Sequence, residues 1–162
     1  MSLKDPVTGD AALRGVERAT LGQLLAYTEG RPIQRVVPII YGIASELDID
    51  PAFAVAEAIL ESGWGTSNFA CTRHNWYGYQ AYYEDSTQAR HFATDEEGIR
   101  AALQAMAENY FAPGGTYFAD GAGATLKGWA RHWIDGGPEN WQRGVRTLAR
   151  IMREIANAPD SE

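Results

Sequence analysis

The sequence predicts a mainly α domain with one small β-hairpin. Apolar residues recur at helical spacing through most of its 162 residues, and helix start and stop signals bracket those stretches. A single aromatic segment, Asn75 to Glu84, breaks the pattern and reads as β.

The elements follow in order. Ala11 to Tyr27 carries Leu13, Val16, Leu21, Leu24 and Leu25 near a helical period, and Gly30-Arg31-Pro32 ends it. Ile33 to Leu47 predicts a second apolar helix with a kink at Pro38. Asp50-Pro51 is a helix start, with Asp50 as N-cap and Pro51 in the first helical position. That helix runs to Ser62 and stops at Gly63. The aromatic segment then predicts a hairpin, with Glu84-Asp85-Ser86 as its turn and Thr87 to Phe92 as the returning strand. Thr94-Asp95-Glu96-Glu97 is a capping box opening a helix with Ile99, Leu103, Met106 and Tyr110 on one side. After a glycine-rich loop from Gly114 to Gly123, Thr125 caps a short helix reaching Asp135. Gly136-Gly137-Pro138 separates it from a last helix, Glu139 to Ala156, with Trp141, Val145, Leu148, Met152 and Ile155 facing inward.

Composition limits function. The formal net charge is −7 with no Lys/Arg cluster, which argues against nucleic acid and against an anionic membrane surface. No apolar run is long enough to span a bilayer, so no membrane insertion is expected. Cys71 is the one cysteine, which rules out an internal disulfide. His74, His91 and His132 lack metal-ligand spacing, so no metal and no cofactor is expected; His74 reads as a structural hydrogen-bonder. The N-terminus has no apolar signal region. A cytosolic protein, one exported by another route, and a domain of a longer chain all fit that reading.

The chemistry concentrates at Ala56 to Ser67, an apolar helix that ends on Glu61 and breaks at Gly63-Trp64-Gly65. An apolar wall and the C-terminal end of a helix both disfavour an ionised carboxylate, so Glu61 is predicted to have a raised pKa and to suit donation of a proton to a glycosidic oxygen. Glu57 lies one turn earlier on the same face, and like charges there raise the pKa of one of the pair. Being mid-helix, Glu57 is expected to be solvated or salt-bridged.

The segments Ala-Ile-Leu-Glu61-Ser-Gly-Trp64-Gly-Thr-Ser67 and Asn75-Trp76-Tyr77-Gly78-Tyr79 resemble glycoside hydrolase family 73, the mannosyl-glycoprotein endo-β-N-acetylglucosaminidase-like peptidoglycan hydrolases of bacteria and phages. Phe92 to Gly98, the loop holding Tyr117, and Gly128 to Asp135 followed by Trp141 and Val145 continue the likeness, which covers roughly Ile33 to Ile155. The resemblance implies a lysozyme-like helical domain with a small β-lobe, spanning residues 33–157 behind an N-terminal helical extension over 1–32, the whole forming one unit. It implies a peptidoglycan hydrolase that cleaves the β-1,4 bond after N-acetylglucosamine without a cofactor, acting as a monomer on glycan strands outside the cell, in the wall or in the periplasm. A phage-encoded enzyme fits as well.

By the same resemblance Glu61 is the catalytic acid, Tyr117 lies near the reaction centre, and a second acid comes from the β-lobe. Here the lobe is short, and Glu84 or Asp85 at its tip, or neither, fills that role. Trp64, Asn75, Trp76 and Tyr79 are assigned to sugar binding: aromatic faces pack on sugar rings, and an amide pairs with hydroxyl or N-acetyl groups. Trp129, Trp133 and Trp141 read as core. Two alternatives stand beside the hydrolase: a lytic transglycosylase using Glu61 alone, and an inactive glycan-binding module.

Overall fold

One helix organises the fold. Residues Pro51–Ser62 form it, and nearly every side chain from Pro51 to Ile59 is buried. Alanines at 52, 54, 56 and 58 let neighbouring helices approach closely from several sides, as an all-round apolar helix requires. The computed structural model describes residues 7–79, 91–118 and 123–160. Its helices are α1 (Leu21–Tyr27), α2 (Val37–Glu46), α3 (Pro51–Ser62), α4 (Asn68–Arg73), α5 (Asp95–Asn109), α6 (Leu126–Trp133) and α7 (Pro138–Ala156). Helices α2 and α7 pack directly on α3, α5 packs on α2, and α6 on α7. Phe53 of α3 meets Phe111 and Trp129 edge-on, at 6.1 and 4.9 Å between ring centroids.

The mainly helical prediction holds, with several shifts in its elements. The first helix begins at Leu21, where Thr20 closes a capping box with Gln23. Residues before it run without helix and pair elsewhere: Ala12 bridges Thr125, and the Leu13 carbonyl accepts from the Asp50 N–H at 2.8 Å. The predicted kink at Pro38 is a break instead. A 3-10 turn over Pro32–Val36 ends at Val37, and Pro38 sits in the first turn of α2, where a missing N–H costs no hydrogen bond.

Asp50, Thr94 and Thr125 cap α3, α5 and α6 as predicted, each accepting a hydrogen bond from a first-turn N–H at 3.1 Å. Glu97 reaches back to the N–H of Ala93, one residue before the cap. Helix α4 was not foreseen: Ser67 starts it, its hydroxyl accepting from the Ala70 N–H. Cys71 lies on α4 and is exposed. Most of the predicted hairpin, with Glu84 and Asp85, lies outside the described residues, as does part of the glycine-rich loop. Asn75 to Tyr79 is a tight turn and not a strand.

Candidate active site

The turn after α3 shows why Glu61-Ser62-Gly63-Trp64-Gly65-Thr66-Ser67 takes this order of residues. Gly63, Trp64 and Gly65 occupy three successive left-handed conformations, with φ of 56°, 63° and 88°. Ser62 staples the turn. Its hydroxyl donates to the Ala58 carbonyl and accepts from the Gly65 N–H, and its carbonyl accepts from the N–H groups of Thr66 and Ser67. A Cβ on Gly65 would meet the Ile33 nitrogen at 2.7 Å, so only glycine lets the turn lie against the 3-10 turn. Trp64 is held in a conformation that L-residues avoid. Its ring packs at 5.6 Å from Tyr27, with the Arg31 guanidinium 4.6 Å over it. Trp64 therefore faces the N-terminal part of the chain.

The last turn of α3 emerges at the surface, and Glu61 is exposed there. It is also crowded on the protein side. Gly78 comes so close that a Cβ built on it would lie 3.1 Å from Oε2 of Glu61. Burial against these neighbours raises the Glu61 pKa above the usual carboxylate range, while the neighbouring Glu57 carboxyl pulls it down. A solvent-facing carboxyl backed by protein can be reached by a substrate and still hold its proton to higher pH than a free carboxyl does.

Glu57 overturns the expectation of a solvated or paired side chain. It is 0% exposed, and neither carboxyl oxygen has a hydrogen-bond partner among the described residues. Burial first, and then the charge of Glu61, drive its pKa well above the ordinary value. Glu57 and Glu61 couple across one helical turn without closing a hydrogen bond of normal geometry. Tyr77 is buried near Glu57, its hydroxyl donating to the Ala54 carbonyl at 2.9 Å. Burial and the charge of Glu57 raise the Tyr77 pKa strongly.

The Asn75 to Tyr79 turn brings Gly78 to Glu61. Asn75 clamps it, its amide donating to the Tyr79 carbonyl at 2.8 Å and its carbonyl oxygen accepting from the Tyr79 N–H at 2.9 Å. Gly78 takes φ 62°, which the clamp requires and glycine tolerates. Asp95, the first residue of α5, anchors the start of the turn. Its carboxylate accepts from the Trp76 indole and pairs with the His74 ring, both at 2.8 Å, and also binds Arg35. Burial would raise the Asp95 pKa, but these partners outweigh it and hold the carboxyl below its ordinary value. Helix α5 reaches the His74 backbone only because residue 98 is glycine, where a Cβ would meet the His74 carbonyl oxygen. His74 is thus the structural hydrogen-bonder that its sequence context predicts.

These contacts place the residues assigned to sugar binding. Asn75 is 2% exposed with its amide committed to the turn, and Trp76 is 1% exposed with its indole N–H committed to Asp95. Both support the site from beneath. Tyr79 is half-buried and stacks on Trp133 at 6.2 Å between centroids and 14° between planes. From there a row of rings continues: Trp133 meets Tyr110 edge-on, Tyr110 stacks on Tyr117 at 4.9 Å, and Tyr117 lies against His132. Tyr117 is 43% exposed, so the far end of the row is open to solvent. The Tyr110 hydroxyl, half-buried beside Tyr117, Asp135 and Tyr79, has its pKa pushed up to about 12.

Sequence reasoning missed Trp133, Tyr110 and His132 as members of this row. The Trp129 to Trp133 spacing correctly marks a shared helical face. Trp129 sits at the buried end of that face, 1% exposed, and Trp133 at its rim. Glu84 lies outside the described residues. Among the described residues no group of three or more His, Cys, Asp or Glu side chains could hold a metal ion, and no helix is long and apolar enough to cross a membrane.

A search of curated proteins finds no match to the chain. The family model described as mannosyl-glycoprotein endo-beta-N-acetylglucosaminidase matches residues 37–156. The match takes in Glu61, the Gly63-Trp64-Gly65 turn, the Asn75 clamp and every ring of the aromatic row. The chain therefore belongs to the glucosaminidase family of glycan hydrolases.

Proposed function

We propose that the protein cleaves peptidoglycan at the β-1,4 bond after N-acetylglucosamine, with Glu61 as general acid. The observation that carries this is the setting of Glu61: solvent-facing at a helix end, backed by Gly78, and held above the ordinary carboxylate range by its surroundings. Such a carboxyl gives its proton to the glycosidic oxygen as the bond to the anomeric carbon breaks. The row from Tyr79 to Tyr117 offers ring faces and hydroxyls to sugar units bound alongside. A second carboxylate from Glu84 or Asp85, or the substrate's own acetamido group, then meets the developing cation. The enzyme acts where peptidoglycan is, outside the cytoplasm, on wall glycan strands.

The test is digestion of purified peptidoglycan by wild type and Glu61→Gln, with borohydride reduction and mass spectrometry of the new ends. Reduced N-acetylglucosamine ends from wild type alone are expected. Anhydro-muramic ends would move the protein to the lytic transglycosylases. Glycan binding without any cleavage would make it a binding module. Glu84→Gln and Asp85→Asn separate the routes: unchanged rates in both point to the acetamido group or to Glu61 alone. Activity is expected to survive EDTA.

A further inference from the structure

Glu57 has no role in the reaction as described so far, yet it is the least accommodated group in the described structure. Both carboxyl oxygens are fully buried and unpartnered, in a helix whose other buried residues are apolar apart from Ser62, which hydrogen-bonds within its own turn. The buried faces of α2 and α7, which pack on α3, are also apolar. Among the described residues, the titratable groups acting on it are Glu61 from its own helix and Tyr77 from the 75–79 turn, with no arginine or lysine. Tyr77 already donates its hydroxyl to Ala54. Among the described residues that leaves Glu61, one turn on along the same face, as the group Glu57 can serve.

We propose that Glu57 is a positioning residue for Glu61: a carboxyl kept protonated by its apolar enclosure, whose O–H donates to the Glu61 carboxylate that forms in the reaction. The inference rests on Glu61 being the acid. In the step itself, the Glu61 proton passes to the glycosidic oxygen, the electron pair of the breaking C–O bond stays on that oxygen, and the negative charge is left on Glu61. Glu57 keeps its own proton throughout. The hydrogen bond, which the pair does not close in the structure, forms as that charge appears, because hydrogen bonds to ionised groups are the stronger kind. The pull of Glu57 on the Glu61 pKa has this sign: it favours the ionised form of Glu61. Burial acts the other way, and the balance keeps Glu61 acidic enough to release its proton and protonated enough to hold one.

A carboxyl retained only for packing would be replaced without loss by an apolar side chain of similar volume, since filling a buried polar site with an apolar group is close to neutral or stabilising. The experiment uses Glu57→Leu, Glu57→Gln and Glu61→Gln beside wild type. Turnover of purified peptidoglycan is measured across pH, with thermal melts at pH 7. Glu57→Leu is expected to melt at or above the wild-type temperature and to lose turnover at least about tenfold, as loss of one charge-stabilising donor does. The alkaline limb of its pH profile should move to higher pH, because Glu61 loses the donor that favours its ionised form. Glu57→Gln keeps an N–H donor and should restore most of the turnover and the wild-type limb. Wild-type turnover and pH limb in Glu57→Leu, with Glu61→Gln inactive, would overturn the proposal and leave the assignment of Glu61 standing. Equal losses of turnover and melting temperature in both Glu57 variants would also overturn it, by making the role one of packing. An active Glu61→Gln would overturn the assignment of the acid itself.

Discussion

Gly78→Ala tests whether the turn at 75–79 fixes the position of the acid. Two effects follow from the structure. The first is backbone strain: at φ 62° an alanine incurs the left-handed penalty of roughly 1–2 kcal/mol. For a chain of this size each kcal/mol lowers the melting temperature by roughly 2–4 °C. The second is displacement: the new Cβ would lie 3.1 Å from Oε2 of Glu61. That atom ends a flexible side chain, so the carboxyl gives way by a few tenths of an ångström. A displacement of 1 Å at a reacting group costs on the order of a hundredfold in rate, so this smaller one is expected to lower kcat by about tenfold. Gly15→Ala supplies the control. Gly15 has φ 72° with nothing within 4 Å of the added Cβ, and its N–H donates to Asp48, beyond the far end of α3 from Glu61. It should lose comparable stability and no activity. Melting by circular dichroism and glycan-release kinetics on purified peptidoglycan read both quantities. Equal specific activity in the folded forms of the two variants would refute the claim that Gly78 positions the acid.

The remaining predictions concern the supports of the site and its open end. Asp95→Asn weakens the bonds to Trp76, His74 and Arg35 and is expected to cost about 1–3 kcal/mol at pH 7. Because the folded Asp95 carboxyl lies below its ordinary value of 3.8, its contribution is present above that pH and lost as pH falls through the folded value. Wild type and variant melts should therefore converge below about pH 4, and a constant gap down to pH 2 would count against the ion-paired hub. Tyr117→Phe separates hydroxyl from ring: if Tyr117 is a stacking platform, Phe keeps KM within about twofold while Tyr117→Ala raises it, and a fall in kcat with Phe alone would place its hydroxyl in the chemistry.

The place of Glu61 at the end of α3 was legible because its signals are local. Asp50-Pro51 opens α3 and Gly63 closes it, so the position of Glu61 follows from a short stretch of chain. Burial was less legible. Glu57 and Glu61 share a helical face, and spacing says nothing of which turn lies beneath the protein and which emerges from it. That is decided by Tyr77 and by the packing of α2 and α7, which come from distant parts of the chain. Trp129 and Trp133 differ for the same reason. Asn75 and Trp76 were read as ligand-facing because amides and indoles suit sugars, but the same groups suit the hydrogen-bonding needs of a tight turn and a buried carboxylate. Periodicity also carried the first helix too far toward the N-terminus: apolar residues before Thr20 are buried by pairing with Ala124 to Lys127 and with Asp50, without any helix.

That pairing makes the N-terminal segment part of the machinery that holds α3, although the family match begins only at residue 37. Asp50 caps α3 and is 0% exposed, and its charge is met by Arg18, itself 8% exposed, through a 2.6 Å ion pair and a hydrogen bond from the Arg18 N–H. Leu13, 0% exposed, accepts from the Asp50 N–H through its carbonyl. Removing one partner of a buried ion pair costs about 3–5 kcal/mol, because the other charge is left uncompensated, whereas loss of an exposed pair costs less than about 1 kcal/mol. Arg18→Ala is therefore expected to lower the melting temperature by roughly 10 °C, and Arg150→Ala, which breaks an exposed pair with Glu154 on α7, by a small fraction of that. Because Asp50 fixes the start of the helix that ends on Glu61, the loss should appear as one cooperative transition, with activity and helical signal falling together. Separate transitions for the two signals, or an Arg18→Ala melt no lower than that of Arg150→Ala, would show that the N-terminal segment only rests on the domain.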